Sequence, residues 1–277
     1  MENFWYEVVI GALLIVVVIV GYVIHCQWPS NYVTIAVLNV GKGTSIYIES
    51  PTHHRVLIDG GPDHRILGEV RKFIPFYVHV LDTVFLTGAG DGRVAGLLDI
   101  ENIYHIDQII EGATTSSILY EEFRKSTVQK NIPIISAQQG EDFNFGDGVN
   151  IAVIFAGIPI DRNGRVVLKL TFGSSTALFT AGESAPFEDY ILGRYGTSSV
   201  IADILTTQYN IARNTPSASF IKAVAPRWVA VSASSKKSLN IKTFSTKNTI
   251  SLFTSQNGTI VFHCTKQACI LVEPRTS

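Results

Sequence analysis

The chain has 277 residues, with 22 Lys+Arg against 23 Asp+Glu, for a net charge of −1. That balance excludes a protein held to nucleic acid by charge alone. The length suits one large domain with room for an anchor, and an apolar fraction of 46% is high for a soluble chain.

Part of that excess sits at the start. Val8–Ile24 is a continuous, uncharged apolar run of about 17 residues, with Trp5 and Tyr6 before it and Trp28 after it. Such a run is at the short end for a membrane-spanning helix, and aromatic flanks suit the two interfaces. A secretory signal is the rival, but it wants basic residues before the run, and Met1–Glu7 carries only Glu2 and Glu7 as charges. Val23-Ile24-His25-Cys26 has a faint likeness to a lipoprotein cleavage site, with His before the Cys a poor fit. We read residues 1–28 as an uncleaved membrane anchor, 29–32 as a link containing Pro29, and 33–277 as one domain. Neither flank is basic before Lys42, so charge does not set the orientation.

Val33–Val40 reads as a strand turning at Gly41-Lys42-Gly43. Ser45–Glu49 returns, Pro51–His54 makes a hairpin turn, and Arg55–Ile58 is a third strand ending at Asp59-Gly60-Gly61. Ile66–Phe76 has the spacing of an amphipathic helix, and Leu81–Leu86 that of a buried strand. Asp107–Glu111 is a strand, and Ser117–Lys130 a helix with Ser117 as N-cap. Strands follow at Ile132–Ser136 and Asn150–Phe155, then a hairpin of Asn163–Phe172 and Thr176–Thr180. Ser217–Val224 reads as a helix, Trp228–Ser232 as a strand, and Gln256–Phe262 as a hairpin turn and strand. Asn257-Gly258-Thr259 is formally a glycosylation triplet but fits the turn better.

The most informative stretch is Leu86–Leu97, where a strand breaks at glycines and feeds a helix. This puts an anion-binding or catalytic loop at the sheet's C-terminal edge. Gly88, Gly90 and Gly92 would allow a phosphate cradle, but their spacing fits neither the dinucleotide fingerprint nor the P-loop.

The second reading is a resemblance. The loop resembles the metal-binding loop of metallo-β-lactamase-fold hydrolases, Thr-His-x-His-x-Asp-His-x-Gly-Gly-Leu, with Thr87, Gly96 and Leu97 on matching positions. The ligand positions hold Gly88, Gly90, Gly92 and Arg93 instead. Zinc and manganese need imidazole, carboxylate or thiolate donors. Glycine has none, and arginine offers only N–H donors and a positive charge.

More finely, Leu38–Thr44 and Leu57–Pro62 resemble the opening of the hydrolase-like domain of ComEC-type DNA-uptake proteins, Asp-Val-Gly-Gln-Gly-Asp and Ile-Asp-Gly-Gly. Asn39, Lys42 and Thr44 depart from that pattern and Asp59 is retained. The Asp59 side chain is expected to cap its turn rather than do chemistry. In the same family an Asp that bridges two metals falls on Glu183, and a His-His pair falls on Tyr209-Asn210. The family's Gly-His-Pro has no histidine counterpart in Lys236–Ser245.

The resemblance covers about Val33–Phe262 and implies an α/β fold, a four-layer αββα metallo-β-lactamase-like sandwich with an N-terminal transmembrane helix. The family's zinc or manganese and its phosphodiester hydrolysis are implied for the family, but the ligands are absent here. No cofactor and no catalytic residue are therefore expected. The reading is a membrane-anchored pseudoenzyme acting as a binding or scaffold module. Its partners would be DNA or a phosphate-bearing ligand, held by Arg93 and Arg213, and DNA-uptake or envelope proteins.

The alternative is a ComEC-type hydrolase using a non-standard carboxylate site of Asp59, Asp91 and Glu183, with Asp63-His64 nearby. The seven histidines fall on no motif position, and no Ser/His or Cys/His pair is visible. Cys264 and Cys269 bracket a four-residue turn. They are either within disulfide reach across a hairpin or two unrelated thiols. A disulfide, together with the family's placement of this domain, favours an extracytoplasmic location.

Overall fold

The computed structural model describes residues 2–26, 28–112, 117–157, 165–180, 184–208, 216–233 and 249–272; in the first helix the described side chains are those of residues 5–21. In chain order the elements of the first half are α1 (Glu2–Cys26), β1 (Val33–Val37), β2 (Ile46–Glu49), β3 (Arg55–Ile58), α2 (Arg65–Val70), β4 (Val80–Leu81), β5 (Thr83–Leu86), α3 (Asp91–Ile100), β6 (His105–Ile106), β7 (Ile109–Glu111), α4 (Ile118–Gln129) and β8 (Ile134–Ser136). The second half adds β9 (Asp142–Asn144), β10 (Val149–Gly157), β11 (Arg165–Phe172), β12 (Ser175–Phe179), α5 (Ala185–Tyr195), α6 (Thr197–Val200), β13 (Ile204–Gln208), α7 (Ala218–Val224), β14 (Trp228–Ser232), β15 (Ile250–Phe253), α8 (Thr254–Asn257), β16 (Ile260–Cys264) and β17 (Cys269–Val272).

Successive side chains of a strand point to opposite faces, so a strand covered on both faces reads as a continuous apolar run. In β5, Phe85 enters the core between the sheets, while Val84 and Leu86 enter a second core under α2, α3 and α4. In β14, Trp228 and Ala230 enter the inter-sheet core, and Val229 and Val231 a third core with α5 and α7. The result is a mixed α/β sandwich of helix, sheet, sheet and helix layers. One sheet has eight strands in the order β17-β16-β1-β2-β3-β5-β7-β8, and the other seven in the order β15-β14-β13-β12-β11-β10-β9.

Topology sets which loops share an edge. Strands β3, β5, β7 and β8 run parallel, as do β12, β13, β14 and β15. The two sheets are aligned, because Val166 N–H of β11 donates to Thr87 O at 3.1 Å, and at the other end Ser175 Oγ donates to Thr265 O at 2.7 Å. The C-terminal edge therefore gathers Asp59–Gly61, Thr87–Gly90 and the ends of β12, β13 and β14. The opposite edge gathers the start of β1, the Pro51–His54 hairpin turn, Asp82 and the tip between β16 and β17.

Several expectations shift. The helix expected over 66–76 ends at Val70 and passes into turns before Pro75, a residue that disfavours helical geometry just ahead of it. The strand expected over 81–86 breaks at Asp82, whose carboxylate accepts from Arg55 N–H at 2.7 Å. The turn at Gln256–Thr259 is not a hairpin. It is the helix α8 and a crossover from one sheet to the other, with Asn257 Oδ1 accepting from Phe253 N–H at 3.1 Å. Ser117 does cap α4, accepting from Tyr120 N–H at 3.2 Å. Cys264 and Cys269 face each other across β16 and β17 as a disulfide.

The α1 backbone runs 25 residues, and its described side chains are those from Trp5 to Gly21. Among the described residues no helix is long and apolar enough to cross a membrane; the sequence itself continues uncharged to Ile24.

Helix α3 sits directly on the Asp59–Gly61 loop. Gly96 N–H donates to Gly61 O at 3.1 Å, and a Cβ on Gly96 would lie 2.1 Å from Gly60 O. Gly96→Ala forces this contact apart and is expected to lower stability by about 1–3 kcal/mol in urea unfolding. An unchanged midpoint would show that α3 does not seat as described.

Candidate functional site

Asp59 ends β3 with a φ of +59°, a left-handed conformation that aspartate tolerates better than most residues. Its side chain is buried. One carboxylate oxygen accepts from Thr87 N–H at 2.8 Å; the other accepts from Thr87 Oγ1 at 2.5 Å and Thr44 Oγ1 at 3.0 Å. Ser45 Oγ donates to the Asp59 carbonyl at 2.8 Å. The expected role of capping its own turn is therefore corrected: the carboxylate ties three separate loops together. Burial pushes the Asp59 carboxyl above the usual range, and Arg93 is the largest influence opposing this, ahead of the bonds from Thr87 and Thr44.

Arg93 lies in the first turn of α3, its N–H bonded to Gly90 O at 2.8 Å and its carbonyl accepting from Gly60 N–H at 2.6 Å. The residue is half-buried. Burial of the guanidinium pulls its pKa down, and the charge of Asp59 opposes the shift. The charges of Arg93 and Asp59 thus each oppose the effect of burial on the other. Arg93 is the residue expected to hold an external anion; its charge also acts on Asp59.

The three loop glycines do different things. Gly88 is buried; Gly90 is exposed and a Cβ there would meet open space. Gly92 packs against the Gly41–Gly43 turn: a Cβ on Gly43 would lie 2.3 Å from Gly92 O, and Thr44 N–H donates to that oxygen at 3.3 Å. A Cβ on Gly92 would meet Lys42 O at 3.3 Å, so the space at Gly90 is not repeated at Gly92. Ser117 Oγ, donating to Ala89 O at 3.0 Å, ties the loop to the start of α4.

Asp91 is exposed at the start of α3, and Asp63 is engaged by Arg65, whose NH2 lies 2.8 Å from it and holds its pKa down at about 2. Among the described residues no three His, Cys, Asp or Glu side chains gather to hold a metal. Glu183, Tyr209, Asn210, Arg213 and Lys236–Ser245 lie outside the described residues, although β12, β13 and β14 deliver the chain to this edge just before them. The described donors do not fit zinc or manganese. The Asp59 carboxylate has its oxygens turned to two threonines, and the charge of Arg93 acts on it.

Two residues escaped sequence reasoning. Arg165 begins β11 beside Thr87, is buried to 2% exposure, and lies over the Phe187 ring at 5.1 Å from its centre. Glu188 on α5 is buried and accepts from Ser217 N–H at 2.8 Å, linking α5 to the start of α7, and burial raises its pKa to about 7. Neither has a motif: Arg165 follows the polar stretch Asp161–Gly164 and Glu188 precedes Asp189, so the sequence gives no sign that the stacked layers will enclose them.

Removing Arg93 would leave Asp59 buried without its opposing charge. The folded-state pKa of Asp59 then moves further up, so the carboxyl contributes stability at low pH that is lost as pH rises. Arg93→Met is expected to cost about 2–3 kcal/mol near pH 8, discounting the partial exposure, and less near pH 5. Chemical unfolding at the two pH values checks this, and an equal loss at both would contradict it.

No protein-family profile matches the chain, and no curated protein does. Solved structures do match. Igni18, a metallo hydrolase from the archaeon Ignicoccus hospitalis, aligns at 14% identity with a TM-score of 0.53, covering 83% of this chain and 98% of that one. The metallo-beta-lactamase fold protein YhfI from Bacillus subtilis aligns at 15% identity with a TM-score of 0.52, covering 73% of this chain and 86% of that one. Identities this low establish architecture and not activity, and on that footing the chain has the metallo-β-lactamase fold.

Proposed function

We propose that this protein is a membrane-tethered pseudoenzyme of the metallo-β-lactamase fold, whose former reaction centre serves as a binding or scaffold module. The observation that carries the reading is the seating of Arg93 on the Asp59–Gly61 loop, its carbonyl accepting from Gly60 N–H at 2.6 Å. Its positive charge acts on the retained carboxylate and opposes entry of a second cation. In the family the loop resembles, divalent metal holds that place. Metal-assisted hydrolysis has no described ligand set to run on here, and no step is routed through a metal.

The tether is α1, whose Val8–Ile24 stretch is uncharged and apolar, with Trp5 and Tyr6 before it and Trp28 after it. The finer resemblance to ComEC-type proteins supports a partner in a DNA-uptake or envelope complex, and a ligand carrying phosphate. The Cys264–Cys269 disulfide suits an oxidising compartment and hence an extracytoplasmic domain.

Metal analysis of the full chain in detergent, after exposure to zinc and manganese and then desalting, separates this reading from a hydrolase. The expected content is below about a tenth of an equivalent, since a site without its imidazole and carboxylate donors does not retain either ion. One or two retained equivalents would overturn the pseudoenzyme and point to a hydrolase using Asp59, Asp91 and Glu183.

A further inference from the structure

Exposed large apolar side chains of the described domain include Val128 on α4, Ile135 on β8 and Tyr190 on α5, but six others share one end. Phe76 is 91% exposed and Trp28 70%, and Tyr77, Ile201, Ile250 and Ile270 are exposed as well. Topology places all six at one end. Trp28 leads into β1, and its carbonyl is bonded to His53 Nε2 in the Pro51–His54 turn at 3.2 Å. Phe76 and Tyr77 form the tip of the turn closed by Val78 N–H to Pro75 O at 2.9 Å, just before β4 and Asp82. Ile201 precedes β13, Ile250 opens β15 beside Trp228, and Ile270 pairs with His263 next to the disulfide hairpin. Each lies toward the edge opposite Asp59 and Thr87. Ile118, 88% exposed, stands at the other end, beside the Ser117 bond to Ala89.

This is also the end at which α1 joins the domain. The join is fastened by Ser30 N–H to Pro51 O at 2.9 Å and by the His53 bond to Trp28. Charges at this end occur in both signs, with Arg55 3.7 Å from Glu49 and His105 3.4 Å from Asp107. Among the described residues other cations here are paired as well, Lys72 with Glu69 at 2.8 Å and Lys130 with Glu101 at 3.4 Å, so charge does not single out anionic headgroups. Exposed aromatic rings at the end of the domain to which an apolar helix is joined fit instead the interfacial zone of an uncharged bilayer, where aromatic rings prefer to sit.

We propose that the Phe76–Tyr77 tip is a second membrane contact, which with α1 seats the domain on the bilayer so that the Asp59–Arg93 edge faces away from it. This rests on the reading of α1 as an anchor. The candidate site is then presented to a partner arriving from the aqueous side.

The test uses the full chain in phosphatidylcholine vesicles that carry a photoreactive diazirine on the acyl chain, with adducts located by peptide mass spectrometry. Adducts in α1 and around Phe76–Tyr77, several-fold above those around Ile118, are expected. Phe76→Asp combined with Tyr77→Asp should cut the labelling of the tip several-fold and leave α1 labelling unchanged. Labelling of α1 with the tip no higher than Ile118 would overturn the seating while leaving the anchor in place. Absence of labelling in α1 would overturn the anchor and, with it, this inference.

Discussion

A buried carboxylate is the constraint on which this end of the molecule depends. Burying a lone charge is costly unless hydrogen bonds and an opposite charge compensate it. Asp59 receives both: Thr44 and Thr87 donate to its oxygens, and Arg93 opposes its charge. Those partners come from the turn after β1, the loop after β5 and the start of α3. Satisfying the one carboxylate fixes how the three segments meet. The close contacts of Gly43 with Gly92 and of Gly96 with Gly60 follow, because the backbones are drawn too near for a Cβ between them.

The same arrangement shows how the protein's own side chains hold the loops at this edge of the fold. In a metal centre the ion neutralises converging carboxylates and so helps hold the loops at the sheet edge. Here a side chain of the protein itself supplies the positive charge. Arginine stays protonated and is planar, so it can satisfy a carboxylate with directed N–H groups. It cannot activate water as a divalent ion does. Under the proposed reading the edge is kept as a structure and serves binding rather than metal-assisted chemistry.

How much of this the sequence displayed depends on what each element buries. Strands covered on both faces stood out as apolar runs, as with Val84-Phe85-Leu86 and Trp228–Ser232. The polar edge strand β9, Asp142–Asn144, carried no such signal. Asp82 interrupted an apparent single strand because its carboxylate was needed by Arg55 across the sheet, a contact no local pattern encodes. At the site, Asp59, Thr87 and Arg93 were visible by position within a motif. Their partnership was not, since it requires loops 28 residues apart to meet at 2.8 Å or less. Arg165 and Glu188 were invisible for the converse reason, as charges enclosed only when the layers stack.

The central claim is that Arg93 and Asp59 act as one unit, and a double-mutant cycle tests it most directly. Unfolding free energies would be measured at neutral pH for the parent, Asp59→Asn, Arg93→Met and the double variant. The account predicts that the double variant loses less than the sum of the singles, by about 1 kcal/mol or more. Losses that simply add would contradict it and return Arg93 to the role of an ordinary surface cation.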